Sequence, residues 1–151
     1  MPQSLSGVYL HLVFSTKDRR PFLRDVEHRE ALHATLGGIS KKLDCTPIEV
    51  GGVEDHAHVL GRFGRTLSQA HWVKELKRVS SHWLREGRPE LHDFSWQNGY
   101  ATFSVSASRL EAVITYVRNQ AQHHRKVGFQ EELRSLLRRH QVDWDERFVW
   151  D

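Results

Sequence analysis

The stretch VEDHAHVLGR, residues 53–62, predicts a β-strand with two histidines on one of its faces. Successive side chains of a strand point to opposite sides, so His56 and His58 share one face while Ala57 and Val59 share the other. Small apolar residues suit packing against helices, and we therefore expect the histidines on the open face of a sheet. Imidazoles whose Cα atoms lie about 6.5–7 Å apart can converge on one metal ion. The alternative is a pair of surface histidines without a ligand, since the chain contains 11 histidines.

Around this strand, the hydrophobic pattern predicts three further strands and four helices. The histidine strand itself spans residues 56–63, the other predicted strands span residues 8–16, 48–53 and 94–105, and the predicted helices span residues 25–43, 67–86, 107–124 and 129–140. The order β-α-β-β-α-β, followed by two helices, is the ferredoxin-like split β-α-β pattern. We expect an α+β fold with helices on one face of a four-stranded antiparallel sheet. The other face is open or covered only by the C-terminal helices, and Gly51-Gly52 predicts a bulge or tight bend.

Length and composition indicate a single domain, residues 1–151. The sequence has no run of 18 apolar residues, and its N-terminal stretch lacks the basic segment of a secretory signal. Cys45 is the one cysteine, which excludes an internal disulfide and a cysteine-based zinc cluster. These features favour a cytoplasmic protein without a membrane segment.

Basic residues are concentrated in three segments, although the net charge is only +3 with neutral histidines. The first segment has two acidic residues beside Arg62, Arg65, Lys74, Lys77, Arg78, Arg85 and Arg88. The second contains Arg118, Arg125 and Lys126, and the third contains Lys17, Arg19, Arg20 and Arg24. If the segments converge, they form a surface that binds a polyanion. Ordinary solvated helix faces explain the same pattern equally well.

The predicted helix at residues 107–124 carries polar groups beside its buried stripe. Tyr116, Gln120 and either His123 or His124 lie on one side at helical spacing. Two histidines need a third metal ligand, and the carbonyl oxygen of Gln120 could supply it. His124 is a ligand, a phosphate contact or a residue without a role. Tyr116 is equally explained as a tyrosine at the edge of the core.

The H-x-H pair on a strand, with Y-x-x-x-Q on a later helix, resembles the single-tyrosine HUH transposases. These are the small transposases of the two-hundred/six-hundred-and-five group of insertion sequences, together with relatives associated with repetitive extragenic palindromes. The likeness extends over nearly the whole chain. It includes HLVFSTKDRRPFL, VGGVEDHAHVLG, VKELKRVSSHWLR, WQNGYATFSVS, YVRNQAQHHRKVGFQEELRSLL and the terminal DERFVWD.

The resemblance implies a metal-dependent endonuclease and strand transferase that acts on single-stranded DNA. Tyr116 matches the nucleophile, which would form a 5′-phosphotyrosine and release a 3′-hydroxyl. His56, His58 and Gln120 match the ligands of a divalent ion, Mg²⁺ or Mn²⁺. Imidazole ligands favour Mn²⁺ by their softness, whereas abundance in the cell favours Mg²⁺.

The resemblance also implies partners. The family acts on DNA hairpins at the ends of mobile elements, works as a homodimer, and does so in the bacterial cytoplasm at the nucleoid, without a nucleotide cofactor. Phosphate contacts are expected from Arg62, Arg65, Lys74, Lys77, Arg78, Arg85, Arg125 and Lys126. Candidates for stacking on bases are Trp72, Trp83, Trp96 and Tyr100.

Three alternatives stand beside this interpretation. An RNA-binding module of the same fold class is disfavoured, because the sequence has no K/R-G-F-x-F run. A domesticated relative would bind DNA without cleaving it, and a phosphodiesterase would use water as its nucleophile. A covalent protein–DNA adduct through Tyr116 distinguishes the nuclease from all three.

Overall fold

Four strands form a single antiparallel sheet in the order β2-β3-β1-β4. In this computed structural model, which describes residues 2–151, the strands are β1 (Tyr9–Ser15), β2 (Thr46–Gly52), β3 (His56–Arg62) and β4 (Ala101–Val105). β3 pairs with both β1 and β2, so the strand with the histidine pair lies in the interior of the sheet. The strand order and the antiparallel pairing confirm the predicted split β-α-β fold.

Two long helices cover one face of the sheet and enclose the larger hydrophobic cluster. α1 (Val26–Lys42) begins after the N-cap Asp25, and α2 (Gln69–Arg85) begins after the N-cap Ser68. Each cap side chain accepts backbone amide hydrogens of the first turn, which are otherwise unpaired. The cluster includes Leu12, Phe14, Leu32, Leu36, Ala57, Val59, Trp72 and Leu76. The apolar residues of β3 therefore face the helices, as the alternation predicts.

Three shorter helices cover the opposite face: α3 (Leu110–Arg118), α4 (Gln120–His123) and α5 (Phe129–Arg139). A second hydrophobic cluster joins β1 and β4 to α5 and to the aromatic tail. It contains Val13, Phe103, Phe129, Leu133, Leu136 and Leu137, with Trp144 and Trp150 packed against it. Among residues 2–151, no helix has the length and apolar character needed to cross a membrane.

Two elements are shorter than the sequence predicts. β4 covers only the end of the strand predicted at 94–105, and Trp96 forms a single isolated bridge with Thr16. The Lys77 ammonium binds backbone carbonyls of residues 97–99, so these carbonyls bond a side chain instead of a strand. The helix predicted at 107–124 is interrupted at Asn119, whose ψ of 27° separates α3 from α4.

Two glycines at the end of β2 bring α3 against the sheet. A Cβ on Gly51 would lie 2.2 Å from the carbonyl oxygen of Val117 in α3, far inside contact distance. Gly52 has φ +151°, and a Cβ there would lie 2.3 Å from the carbonyl oxygen of His56. The register shift of β2 lies between Pro47 and Glu49 instead. The glycine pair therefore marks a close helix approach and a tight bend, not a bulge.

Candidate active site

The histidine pair of β3 is completely buried beneath the C-terminal helices. His56 and His58 are both 0% exposed. Their Nε2 atoms lie 3.2 and 3.1 Å from one oxygen, Oε1, of Glu132 in α5. The two rings therefore converge on one point, as their spacing predicts. Of the two alternatives predicted for this face, open or covered only by the C-terminal helices, the structure shows the second, because α3, α4 and α5 close it. The alternation within β3 carries no information about those helices.

The second nitrogen of each ring is held by a neighbouring side chain. Nδ1 of His56 lies 2.7 Å from Oδ1 of Asp55. Nδ1 of His58 lies 2.7 Å from Nε2 of His11 on β1. Partners of this kind fix the orientation of an imidazole and direct its other nitrogen toward a ligand. Asp55 and His11 are therefore positioning residues for the histidine pair.

Glu132 lies at the centre of the cluster, and its carboxylate is buried. Its second oxygen, Oε2, accepts hydrogen bonds from the Gln120 amide at 3.1 Å and from the Tyr116 hydroxyl. Nε2 of His124 lies 3.2 Å from the same oxygen. Burial alone would raise the pKa of Glu132, but the surrounding histidines outweigh burial and hold the pKa far below its ordinary value. The carboxylate is therefore ionised.

The electrostatic environment of His56 favours a positive charge. Burial alone would lower the pKa of this ring, but the hydrogen bonds to Asp55 and Glu132 raise it to about 9. Burial prevails at His58 and His11, where the pKa values lie below the ordinary value. The carboxylates of Asp55 and Glu132 therefore favour a positive charge at His56, which is either a proton on Nε2 or a metal ion that replaces this proton.

α4 directs two more polar groups into the cluster. Oε1 of Gln120 lies 3.0 Å from Nε2 of His56 and 2.9 Å from Nε2 of His124. Gln120 is 1% exposed, so its amide has no contact with solvent. The predicted third ligand, Gln120, is thus brought to the histidine pair. Of the two histidines at helical spacing, His124 is the one that contacts Gln120.

Tyr116 of α3 faces the histidine pair of its own chain. Its ring centroid lies 5.8 Å from that of His58, and its hydroxyl donates a hydrogen bond to Glu132. Burial raises the pKa of the phenol, and the negative charge of Glu132 raises it further. The hydroxyl is therefore protonated at neutral pH, with an ionised carboxylate in contact with its proton.

The donor atoms of the cluster fit a divalent metal ion. One atom each from His56, His58, His124 and Glu132 lies within 4.8 Å of the other three. Imidazole nitrogens and carboxylate oxygens are the usual ligands of such ions. The cluster thus contains His56, His58 and Gln120, the predicted set, and adds Glu132 and His124.

The predicted DNA-binding residues do not form one surface around this cluster. Arg125 and Lys126 are exposed and follow α4 directly. Lys74, Lys77, Arg78 and Arg85 lie on α2, which packs on the opposite face of the sheet from Tyr116. The sequence does not show this division, because helical spacing gives the exposed side of a helix and not the sheet face that the helix covers.

Several of these cations are already engaged by the protein itself. Lys77 is half-buried and holds the loop before β4 through the carbonyls of residues 97–99. Arg85 donates to the Phe94 carbonyl, Arg62 donates to the Ser6 carbonyl, and Arg78 pairs with Glu75. Among the eight predicted DNA-binding residues, the exposed side chains without an ion pair or hydrogen bond are those of Arg65, Lys74, Arg125 and Lys126.

Of the four stacking candidates, Tyr100 is the most exposed, at 41%. Trp72 and Trp96 belong to the core, where their indole groups donate to the hydroxyls of Ser40 and Ser80. Trp83 is half-buried under the guanidinium of Arg88. The stacking prediction is therefore wrong for Trp72 and Trp96, because each indole N–H finds its acceptor inside the protein.

Sequence reasoning missed Glu132, Asp55 and His11. Glu132 has a sequence signal, since it lies three residues after Phe129 and four before Leu136, on the apolar stripe of α5. A carboxylate at such a position is buried only with charged or hydrogen-bonding partners. The signal identifies an unusual residue. The partners of Glu132 come from three other elements, and residue spacing within one helix cannot predict them.

The comparisons with known proteins agree with this architecture. A candidate transposase from Deinococcus radiodurans R1 superposes with a TM-score of 0.62 and 22% identity, over 80% of this chain and 95% of that chain. A REP-associated tyrosine transposase bound to a REP hairpin superposes with a TM-score of 0.55 and 11% identity, over 78% of this chain and 68% of that chain. At these identities the two structures show the shared fold alone.

No curated protein matches the sequence significantly. The family described as "Transposase IS200 like" matches residues 4–120, which is well over half of the 151 residues. The matched region contains the histidine strand, Tyr116 and Gln120, the residues on which the resemblance was based. The resemblance is thereby confirmed, and the chain belongs to the IS200-like transposase family.

Proposed function

We propose that the protein cuts and rejoins single-stranded DNA through a covalent bond to Tyr116. The observation that carries the proposal is the contact of the Tyr116 hydroxyl with Glu132, whose carboxylate also meets Nε2 of His56 and His58. A phenol, a carboxylate and imidazoles in mutual contact supply a nucleophile, a proton acceptor and metal ligands. Membership of the transposase family supports the same chemistry.

We infer that His56, His58 and Glu132 hold a divalent cation, with Gln120 or His124 as a further ligand. When bound, Mg²⁺ or Mn²⁺ would neutralise charge on the scissile phosphate and orient it for in-line displacement. The two carboxylate oxygens have different neighbours, since Oε1 faces the histidine pair and Oε2 faces Tyr116. Glu132 can therefore serve both the cation and the nucleophile.

In the cleavage step, the Tyr116 oxygen attacks the phosphorus atom of a phosphodiester. The bond from phosphorus to the 3′ oxygen breaks as the bond to the tyrosine oxygen forms, which leaves a 5′-phosphotyrosine and a 3′-hydroxyl. The phenolic proton leaves along the existing hydrogen bond to Glu132, which passes it to water because its pKa is low, and the departing 3′ oxygen takes a proton from water. Attack by a 3′-hydroxyl reverses the step, so rejoining needs no nucleotide cofactor.

The substrate we propose is a single strand that carries a hairpin, in keeping with the hairpin bound by the REP-associated neighbour. Arg125 and Lys126 lie next to the cluster and would contact the cleaved strand. Lys74 lies on α2, on the other side of the sheet, and Arg65 lies in the loop before this helix; both would contact the hairpin. We propose that the reaction takes place in the bacterial cytoplasm, where such target DNA lies.

We further propose a homodimer, as the family resemblance implies. β2 and β4 are the edge strands of the sheet, and an edge strand offers backbone groups to a second chain. Tyr116 already faces the histidine pair of its own chain, so each protomer carries a complete set of site residues. Sedimentation of the purified protein measures the assembly.

The decisive experiment uses labelled single-stranded oligonucleotides from the DNA that flanks the gene. With Mg²⁺ or Mn²⁺, the wild-type protein should give a labelled band that survives SDS. Tyr116→Phe should give no such band while its DNA affinity stays near that of the wild type. Tyr100→Phe is the matched control, because this exposed tyrosine lies outside the cluster, and it should keep the band.

The alternative is a relative that binds DNA without cutting it. If the wild type binds flanking oligonucleotides but forms no adduct with any of them in either metal, the binding-only function replaces the proposal. If Tyr116→Phe still forms the adduct, another residue is the nucleophile and the assignment of Tyr116 is wrong.

A further inference from the structure

A cavity of about 530 Å³ opens beside Tyr116, on the side of the ring away from α4 and His124. One wall contains Ala112 and Tyr116 of α3 and Arg109, the residue directly before this helix. The opposite wall is the end of α5 with Arg139 and the adjoining His140. The cavity volume lies within the ~300–1,000 Å³ typical of small-ligand sites.

The charged groups that line this cavity are all positive. Two guanidinium groups, Arg109 and Arg139, line it together with His140 and the hydroxyls of Ser104 and Ser106. Of the described residues, those that line the cavity include no aspartate or glutamate. Neither guanidinium forms an ion pair with any residue between 2 and 151, whereas Arg118 and Arg134 nearby are both paired with glutamates. Two unpaired arginines around a cavity are suited to an anion.

Apolar side chains complete the lining, so this cavity differs in composition from a charged surface patch. Val105, Val113 and Leu136 line the cavity together with the two arginines and Tyr116. A ligand that fills the cavity therefore needs an anionic group and an uncharged body of moderate size. A nucleotide unit of a DNA strand has both, as its phosphodiester suits the arginines and its sugar suits the apolar wall.

We propose that this cavity binds the nucleotide next to the scissile phosphate, with Arg109 and Arg139 on its phosphodiester. The inference rests on the proposed function, since Tyr116 lines the cavity and also contacts Glu132. A strand held here would run past the hydroxyl of Tyr116 toward the histidine pair. The sequence predicts neither arginine as a DNA contact, because Arg109 precedes α3 and Arg139 ends α5, outside the three basic segments.

The test measures DNA affinity without chemistry. Fluorescence anisotropy with a labelled oligothymidylate, in EDTA and over a series of salt concentrations, gives the dissociation constant and its salt slope. The double variant Arg109→Gln/Arg139→Gln should weaken binding about tenfold and reduce the salt slope by about 0.7, the contribution of one phosphate contact on a single strand. The control Lys41→Gln/Lys42→Gln removes the same charge from α1, across the sheet, and should change the affinity less than about twofold.

A second variant separates the cavity from the general electrostatic field. Ala112→Phe fills the cavity from an exposed position of α3 and alters no charge. It should weaken binding to a similar degree. Wild-type affinity in Ala112→Phe, or an equal loss in the double lysine control, would overturn the assignment of the cavity.

The covalent adduct assay distinguishes failure of this inference from failure of the proposed function. An adduct through Tyr116, with oligothymidylate affinity unchanged in the double arginine variant, refutes the cavity and leaves the nuclease intact. No adduct, with affinity that depends on Arg109, Arg139 and Ala112, refutes the nuclease and supports the cavity as a DNA-binding site.

Discussion

The hydroxyl of Tyr116 donates a hydrogen bond to Glu132 of the same chain, and this contact joins α3 to α5 at the candidate nucleophile. Glu132 also lies against the histidine pair of β3, so three elements meet at one carboxylate. Removing the carboxylate would remove the proposed proton acceptor and one metal ligand, and it would also break the hydrogen bond to the proposed nucleophile, Tyr116. The position of Glu132 therefore makes it the most informative residue to change.

Glu132→Gln should slow adduct formation by about 10²–10⁴-fold, the usual contribution of a positioned proton acceptor. Glutamine keeps the size of the side chain but cannot accept the phenolic proton. Glu131→Gln is the matched control, because the neighbouring side chain is exposed and pairs with Arg134, and it should keep the wild-type rate. The measurements are the rate of the SDS-resistant band and circular dichroism. Wild-type adduct rates in folded Glu132→Gln would exclude this role.

Asp55→Asn should weaken Mn²⁺ binding by about 10–100-fold, the usual effect of removing a partner that orients a metal-ligating histidine. Asp55 holds Nδ1 of His56 at 2.7 Å, and an amide oxygen is a weaker acceptor than a carboxylate. Free Mn²⁺ measured by electron paramagnetic resonance gives the affinity without any DNA. Glu54→Gln, one residue earlier, should leave the affinity unchanged. An equal loss in both variants would point to general charge rather than to orientation of the ring.

The sequence carried enough information for the fold and for half of the site. The alternation in β3 placed Ala57 and Val59 against the helices, and the Y-x-x-x-Q spacing placed Tyr116 and Gln120 on the same side, which they keep across the break at Asn119. Both are local periodicities, which depend on the backbone geometry of a single element.

The remaining half depends on contacts between elements that are far apart in the chain. Glu132 meets its partners only because α5 packs over β3, and Lys77 is engaged only because a distant loop lies against α2. Neither contact leaves a periodic signal within one element. A buried carboxylate on an apolar stripe indicates that it has charged or hydrogen-bonding partners, but the sequence does not show which residues they are.

Gly51→Ala should destabilise the protein by about 1–3 kcal/mol, the usual cost of overpacking. The new Cβ would collide with the Val117 carbonyl and push α3, with Tyr116, away from the sheet. Gly38→Ala is the control, since nothing lies within 4 Å of a Cβ at that position in α1, and alanine there should stabilise the helix by up to about 1 kcal/mol. Urea unfolding measures both. Equal stability of the two variants would contradict the close approach of α3.

Acid should destabilise the protein partly through His33 of α1. Burial, with a smaller effect of Arg29, lowers the pKa of this ring to about 4, below its ordinary value of 6.5. The unfolded chain therefore binds the proton first, and stability falls as the pH decreases from about 6.5 to 4, by up to about 3 kcal/mol. His33→Gln should flatten the stability profile in this interval relative to the wild type. Parallel profiles from urea unfolding at each pH would show that His33 does not contribute.

Lys74 and Lys77, three residues apart on α2, should respond differently to replacement by methionine. Lys77→Met leaves three carbonyl oxygens before β4 without their donor and should cost about 1–3 kcal/mol of stability in urea unfolding. Lys74→Met removes an exposed charge and should change stability by less than about 0.5 kcal/mol. The same Lys74 variant should lower the salt slope of hairpin DNA binding by about 0.9, one phosphate contact on a duplex. A stable Lys77→Met with weaker DNA binding would instead place Lys77 on the DNA surface and return it to the role predicted from its position in the basic helix.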